Sequence, residues 1–206
     1  MESAGAVGAD WVVPVLMGVS LAACAGLRAW LPMLFVSVLA HFGYVQVNDS
    51  MAIIGDIHVL VALVIATIVE IVGDKIPAVD NFLDSVGTFV RPAAGTIVSS
   101  SLLTQVDGGV ALLLGLLVGG GTAFSVHAGK SAVHAAATAT APIHLGMGNT
   151  VLSFIEDALS LTASILSVVL PWVAAFCALI AVCVSFYMIA RIWRWRRRKQ
   201  REACPA

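Results

Sequence analysis

Between Leu170 and Ala190 the chain runs for 21 residues without one charged side chain, and seven Lys/Arg follow in the next 11 positions. A helix needs about 20 apolar residues to cross the roughly 30 Å hydrocarbon core of a bilayer. Only helices and closed barrels satisfy their own backbone hydrogen bonds in that medium. A run of this length that ends in Trp193, Trp195 and a basic cluster predicts a membrane span with its anchor at the interface. The rest of the chain must then live in the same solvent. Hydrophobic residues make up 60% of its 206 positions and charged ones only 11%, where a soluble domain carries about a quarter.

The charges are unevenly placed. Residues 191–206 hold seven Lys/Arg and one Glu, a net +6, while residues 1–190 hold four Lys/Arg and eleven Asp/Glu, a net −7. The positive-inside rule puts the C-terminus in the cytoplasm, and the cluster attracts anionic lipid head groups electrostatically. The expected partners are therefore the bilayer and those head groups, with no nucleic acid. The start, "MESAGAVGAD", has no basic n-region, so no cleaved signal peptide is expected. Cys24, Cys177, Cys183 and Cys204 have no paired or metal-ligand spacing.

The apolar pattern predicts an all-α fold, a polytopic helical membrane protein with about four to six crossings and short re-entrant or interfacial helices. Residues 1–190 form one membrane domain and 191–206 a basic cytoplasmic tail. Residues 11–45 are too long for one upright span, so they tilt or break near Arg28 and Pro32. Residues 52–72, 109–128 and 161–190 are further spans, the last kinked at Pro171. Residues 77–104 read as an interfacial helix followed by a short or re-entrant segment, because "AAGTIVSSSLLT" is too short and polar to cross. An even number of crossings leaves both termini inside. Gly115 and Gly119 share a helix face that permits close backbone approach and offers a route to a homo-oligomer.

Ionisable groups in a membrane are costly and mark sites or pairs. Outside the tail the only bases are Arg28, Lys75, Arg91 and Lys130. Glu70 and Asp74 are four apart and share a face if their helix continues. Pro77 suits the first turn of a new helix, on which Asp80 and Asp84 share a face opposite Val79, Phe82, Leu83 and Val86. His127, Ser131, His134 and Thr138 recur on one helical face with Lys130 at its edge, a stripe suited to proton relay. Glu156 and Asp157 point about 100° apart on a helix, with Ser153 on the Glu156 side. Arg28 stands alone between apolar stretches and needs a carboxylate from another segment.

The stretches "AACAGLRAWLPM" (22–33), "EIVGDKIPAVDNFLDSVGTFVRPAAG" (70–95) and "GNTVLSFIEDALS" (148–160) together resemble the bacterial membrane family catalogued as domain of unknown function 4126. The resemblance covers nearly the whole chain up to the tail. It implies a multi-pass protein of the bacterial inner membrane and brings no activity with it.

The residues point first to a small transporter or channel-like protein for protons or a cation. Arg28, Glu70, Asp74, Lys75, Asp80, Asp84, Arg91, His127, Lys130, His134, Glu156 and Asp157 are the candidate binding residues. No catalytic residue and no cofactor is assigned, and a divalent cation remains open. Two other readings use the same residues. One is a membrane enzyme acting on a lipid or isoprenoid phosphate, with a metal on Asp80 and Asp84 and clamps from Arg91 and Lys75. The other is a non-catalytic scaffold whose charges fix topology.

Overall fold

The computed structural model describes residues 11–140 and 147–203, the side chains at 77, 78, 80, 81, 134–140, 147–152 and 195–203 excepted. Among the described residues there are eight α-helices and no strand. They are α1 (Val12–Leu27), α2 (Trp30–His41), α3 (Ile57–Gly73), α4 (Pro77–Leu102), α5 (Gly108–Leu114), α6 (Gly121–Thr140), α7 (Met147–Val169) and α8 (Pro171–Ala203). A 3-10 helix, Asp49–Gly55, precedes α3, and a π-helical segment, Gly115–Gly120, joins α5 to α6.

Local chemistry sets most of the boundaries. Asp56 starts α3 by accepting from the His58 N–H at 2.7 Å, and Asp107 starts α5 by accepting from Gly109 N–H at 3.0 Å. Pro77 and Pro171 begin α4 and α8, where a missing N–H costs nothing. Pro32 falls in the first turn of α2 for the same reason.

The apolar stretch 11–45 breaks at Arg28, whose backbone is extended, and the chain then reverses. At one end of the bundle Asn48 N–H donates to the Ser101 carbonyl at 2.7 Å, and Ser37 donates to the Ile54 carbonyl at 2.6 Å. The start of α1, the end of α2 and the end of α4 therefore lie together there. At the other end Arg28 meets Asp74 and Asp157, and Lys130 meets Glu156. Taking α5 and α6 as one rod, each helical segment runs opposite to the one before. Trp11 and Arg194 consequently lie at opposite ends of the bundle, an odd number of segments apart. The hairpin at Arg28 supplies one of the reversals.

Helix α1 is the axis of the bundle, with Met17 to Gly26 mostly buried. Leu21, Ala25, Met33, Val36, Ala94, Val98 and Leu102 form the main core with Ile54 and Leu63. The outside is greasier than the inside. Ile65, Ile68, Leu116, Leu117, Phe176 and Leu179 are exposed, whereas Ser20, Ser37, Ser99, Ser100, Ser101, Ser160, Ser164 and Ser167 are buried. That distribution is the reverse of a water-soluble domain and fits a helical membrane protein whose exterior meets lipid.

Two sequence expectations change. Residues 161–190 are not one span kinked at Pro171, because α7 ends at Val169 and α8 begins at Pro171 and runs back the other way. Residues 77–102 are one helix with Pro92 inside it, not an interfacial piece plus a short segment. The polarity of "SSS" serves packing: Ser100 and Ser101 donate to the Thr96 and Val98 carbonyls, and Ser99 to Gly18 of α1 at 3.0 Å. Gly115 and Gly119 are buried against α4, where an added Cβ would overlap Ser100 and Ser99. The small-residue face is thus filled within the chain. Finally, among the described residues two helices, Gly108–Val133 and Pro171–Arg194, are long and apolar enough to cross a membrane, or three if the bent pair Asp49–Gly55 and Ile57–Gly73 is one span. The sequence pattern points to about four to six crossings, and length and composition alone identify two or three of them. The remaining segments are short, as α1 and α2 are, or carry a polar face turned into the bundle, as α4 does.

Candidate functional site

The break between α1 and α2 is where the charges gather. Because Arg28 leaves the helix, the first N–H groups of the next one have no intrahelical acceptor. Glu70 of α3 takes them, with Oε1 accepting from Ala29 N–H at 3.0 Å and Oε2 from Trp30 N–H at 3.2 Å. A carboxylate there also faces the positive end of the α2 dipole. One turn further along α3, Asp74 pairs with Arg28. The shared face expected for Glu70 and Asp74 is thus aimed at the hairpin.

Arg28 is completely buried. Besides Asp74, its Nη2 donates to Ser153 Oγ at 2.8 Å and to the Ser153 carbonyl at 3.2 Å, and its Nε lies 2.8 Å from Asp157 Oδ1. Asp157 also holds Lys75 at 3.0 Å, and Lys75 donates to Ser153 Oγ at 2.7 Å. The Lys75 ammonium sits 3.9 Å from the centre of the Phe154 ring, a cation–π contact. Ser153, expected beside Glu156, instead works with Asp157, its neighbour one turn on. Asp74 Oδ1 is buried and has no hydrogen-bond partner among the described residues.

A second cluster lies beside the first. Glu156 pairs with Lys130 at 2.7 Å, and Lys130 is 3.9 Å from Asp84. Asp84 in turn faces Arg91 at 3.4 Å. Gly87, one turn before Arg91, leaves the room that the Arg91 side chain fills: a Cβ there would stand 3.0 Å from Nε. Arg91 donates to the Gly26 carbonyl at 3.3 Å and contacts His127 Nδ1 at 2.9 Å. A guanidinium only donates, so Nδ1 accepts and the imidazole proton resides on Nε2. That nitrogen faces Thr88 Oγ1 at 3.4 Å, and Thr88 donates to the Asp84 carbonyl at 3.3 Å.

Adjacent residues of α7, Glu156 and Asp157, join the two clusters by pointing to different partners. All four bases outside the tail are in this one network, with Glu70, Asp74, Asp84, Glu156 and Asp157. Fully ionised, the described members carry four positive and five negative charges, a net −1. The side chains of Asp80 and His134, also expected here, lie outside the described residues, as does that of Thr138. Of the apolar set expected opposite Asp80 and Asp84, Val79 and Leu83 cover Gly73, while Phe82 and Val86 are exposed. Among the described residues no group of three His, Cys, Asp or Glu is close enough to hold a metal ion. Thr88, Ser153 and Phe154 were not singled out as site residues by sequence, and only the four-residue spacing of Ser153 to Asp157 signals one of them.

A family model described as "Domain of unknown function (DUF4126)" matches residues 15–191. The chain belongs to that family. The match spans every described member of the network, from Arg28 to Asp157. No curated protein and no solved structure matches the chain.

Proposed function

We propose that this DUF4126 protein is a small membrane carrier for protons or a small cation, and that the buried network is its binding site. The observation that supports this most is the convergence of all four non-tail bases with five carboxylates at a broken helix, one carboxylate in excess. Ionisable groups inside a membrane mark ion pathways, and interrupted helices are where carriers bind ions. The unpartnered Asp74 Oδ1 is the place for a proton or a cation to enter. Asp157, shared by Arg28 and Lys75, and Asp84, between Arg91 and Lys130, are the carboxylates that exchange partners as the load changes.

The apolar core around Leu21, Val98 and Leu102 separates the network from the opposite end of the bundle. A dry barrier of this kind favours alternating access over an open pore. The network and Arg191 lie toward the same end, which the positive-inside rule assigns to the cytoplasm. Trp11 then lies at the outer face. Proteoliposomes loaded with a pH-sensitive or cation-sensitive dye test the reading. The wild type should carry protons or one of the common cations down an imposed gradient, and Asp74→Asn should abolish it while the protein stays folded. No flux across that panel overturns the reading.

A further inference from the structure

Helices α1, α6, α7 and α8 line a half-open cavity of about 420 Å³, within the roughly 300–1,000 Å³ of pockets that take small ligands. Its wall is almost entirely apolar, with Cys24, Leu27, Leu166, Ala174 and Ala181 among the lining residues. The hydroxyls of Ser20, Ser167 and Ser185, which also line it, are spent on carbonyls one turn back in their own helices. Among the described residues the only charged pair on the wall is Lys130–Glu156.

The direction of the cavity follows from how α6 and α8 pack. Val126 packs with Ala178, and Gly129 lies against Ser185, so close that a Cβ on the glycine would overlap it. The two helices therefore run the same way. On α8 the lining residues are Ala174, Cys177, Ala178, Ala181, Val184, Ser185 and Met188, a single helical stripe. The stripe runs from Ala174 to Met188, 14 steps of 1.5 Å or about 21 Å, longer than the roughly 15 Å of hydrocarbon in one leaflet. Its next position is Arg191, three residues past Met188. Arg191 is exposed, reaches only Tyr187 among the described residues, at 3.5 Å, and has Arg194 one turn on.

A greasy slot of one chain's length that ends at exposed guanidinium groups matches one class of molecule. We propose that the groove between α1, α6, α7 and α8 binds one acyl chain of an anionic phospholipid, whose phosphate is held at Arg191. The charge complementarity sets the head group, and the stripe sets the orientation of the chain. The bound chain covers Lys130 and Glu156, so the lipid seals the network from the side. This site does not depend on ion passage by the protein.

Native mass spectrometry of the purified full chain, titrated with phosphatidylglycerol or phosphatidylcholine of the same acyl chains, tests the proposal. The wild type should retain one phosphatidylglycerol with at least a tenfold preference. Arg191→Gln, on the exposed surface, should remove the preference. Ala181→Phe, which fills the groove, should lower binding of both lipids at least tenfold, whereas Leu179→Phe on the exposed face should not. Equal retention of both lipids by the wild type overturns the head-group assignment. Undiminished binding to Ala181→Phe, or a second copy of the chain in place of lipid, overturns the groove. Should Ala181→Phe fail to fold, the wild-type comparison and Arg191→Gln still decide.

Discussion

Replacing Arg28 by Met gives a sharp test of the buried network, because its carboxylate partners differ in what they lose. Asp74 is nearly buried and has no other cation within 4.0 Å among the described residues, whereas Asp157 keeps Lys75 at 3.0 Å. Removing one member of a buried ion pair costs about 3–5 kcal/mol, since the remaining charge is left without compensation. The cost should fall on Asp74. Arg28→Met should therefore destabilise the protein by about that amount, and adding Asp74→Asn should recover more than half of it. Adding Asp157→Asn should recover less. Unfolding in mixed micelles, titrated with denaturing detergent and followed by tryptophan fluorescence, measures all four proteins. A loss within about 0.5 kcal/mol of zero, the range of ordinary surface changes, would refute the burial argument. Better rescue by Asp157→Asn would refute the choice of partner.

Three further outcomes follow from the same geometry. Glu70→Ala leaves the Ala29 and Trp30 N–H groups without acceptors, and should cost about 1–3 kcal/mol in the same unfolding assay. Glu70→Gln, which keeps one acceptor oxygen, should cost less. Gly119→Val drives a side chain into Ser99 and should destabilise by at least about 1–3 kcal/mol, while Leu117→Val on the exposed face should be nearly neutral. In a variant lacking the native cysteines, Asp107→Cys should react with an impermeant maleimide added outside intact cells. Arg194→Cys should react only after the membrane is opened, and the reverse pattern would invert the orientation.

Much of the frame was legible in the amino-acid order. The apolar runs and the helix start at Pro77 follow from local chemistry. A break near Arg28 and Pro32 is one of the two alternatives that the length of 11–45 allows. Pro171, by contrast, reads as a kink inside one span and instead begins α8. The need of a lone Arg for a distant carboxylate follows from desolvation. Which carboxylate could not be read, because Asp74 and Asp157 are brought to Arg28 by the facing of three separate helices. The reversal at Arg28 was hidden for a related reason: an extended residue between two apolar helices looks the same whether the chain tilts or turns back. Segment 93–104 misled because hydropathy counts serines as polar, whereas here their hydroxyls are satisfied by backbone carbonyls and their small size lets α4 approach α1. Ser153 was assigned to the wrong neighbour because a three-residue and a four-residue spacing are both close on a helix.

The buried network is expected to take up and move a positive charge. Solid-supported-membrane electrophysiology measures this directly, as the transient current evoked by a pH or cation jump on proteoliposomes. A charge movement is expected in the wild type and should be absent from folded Asp74→Asn and Asp84→Asn. No current above empty liposomes for protons or any common cation would contradict it.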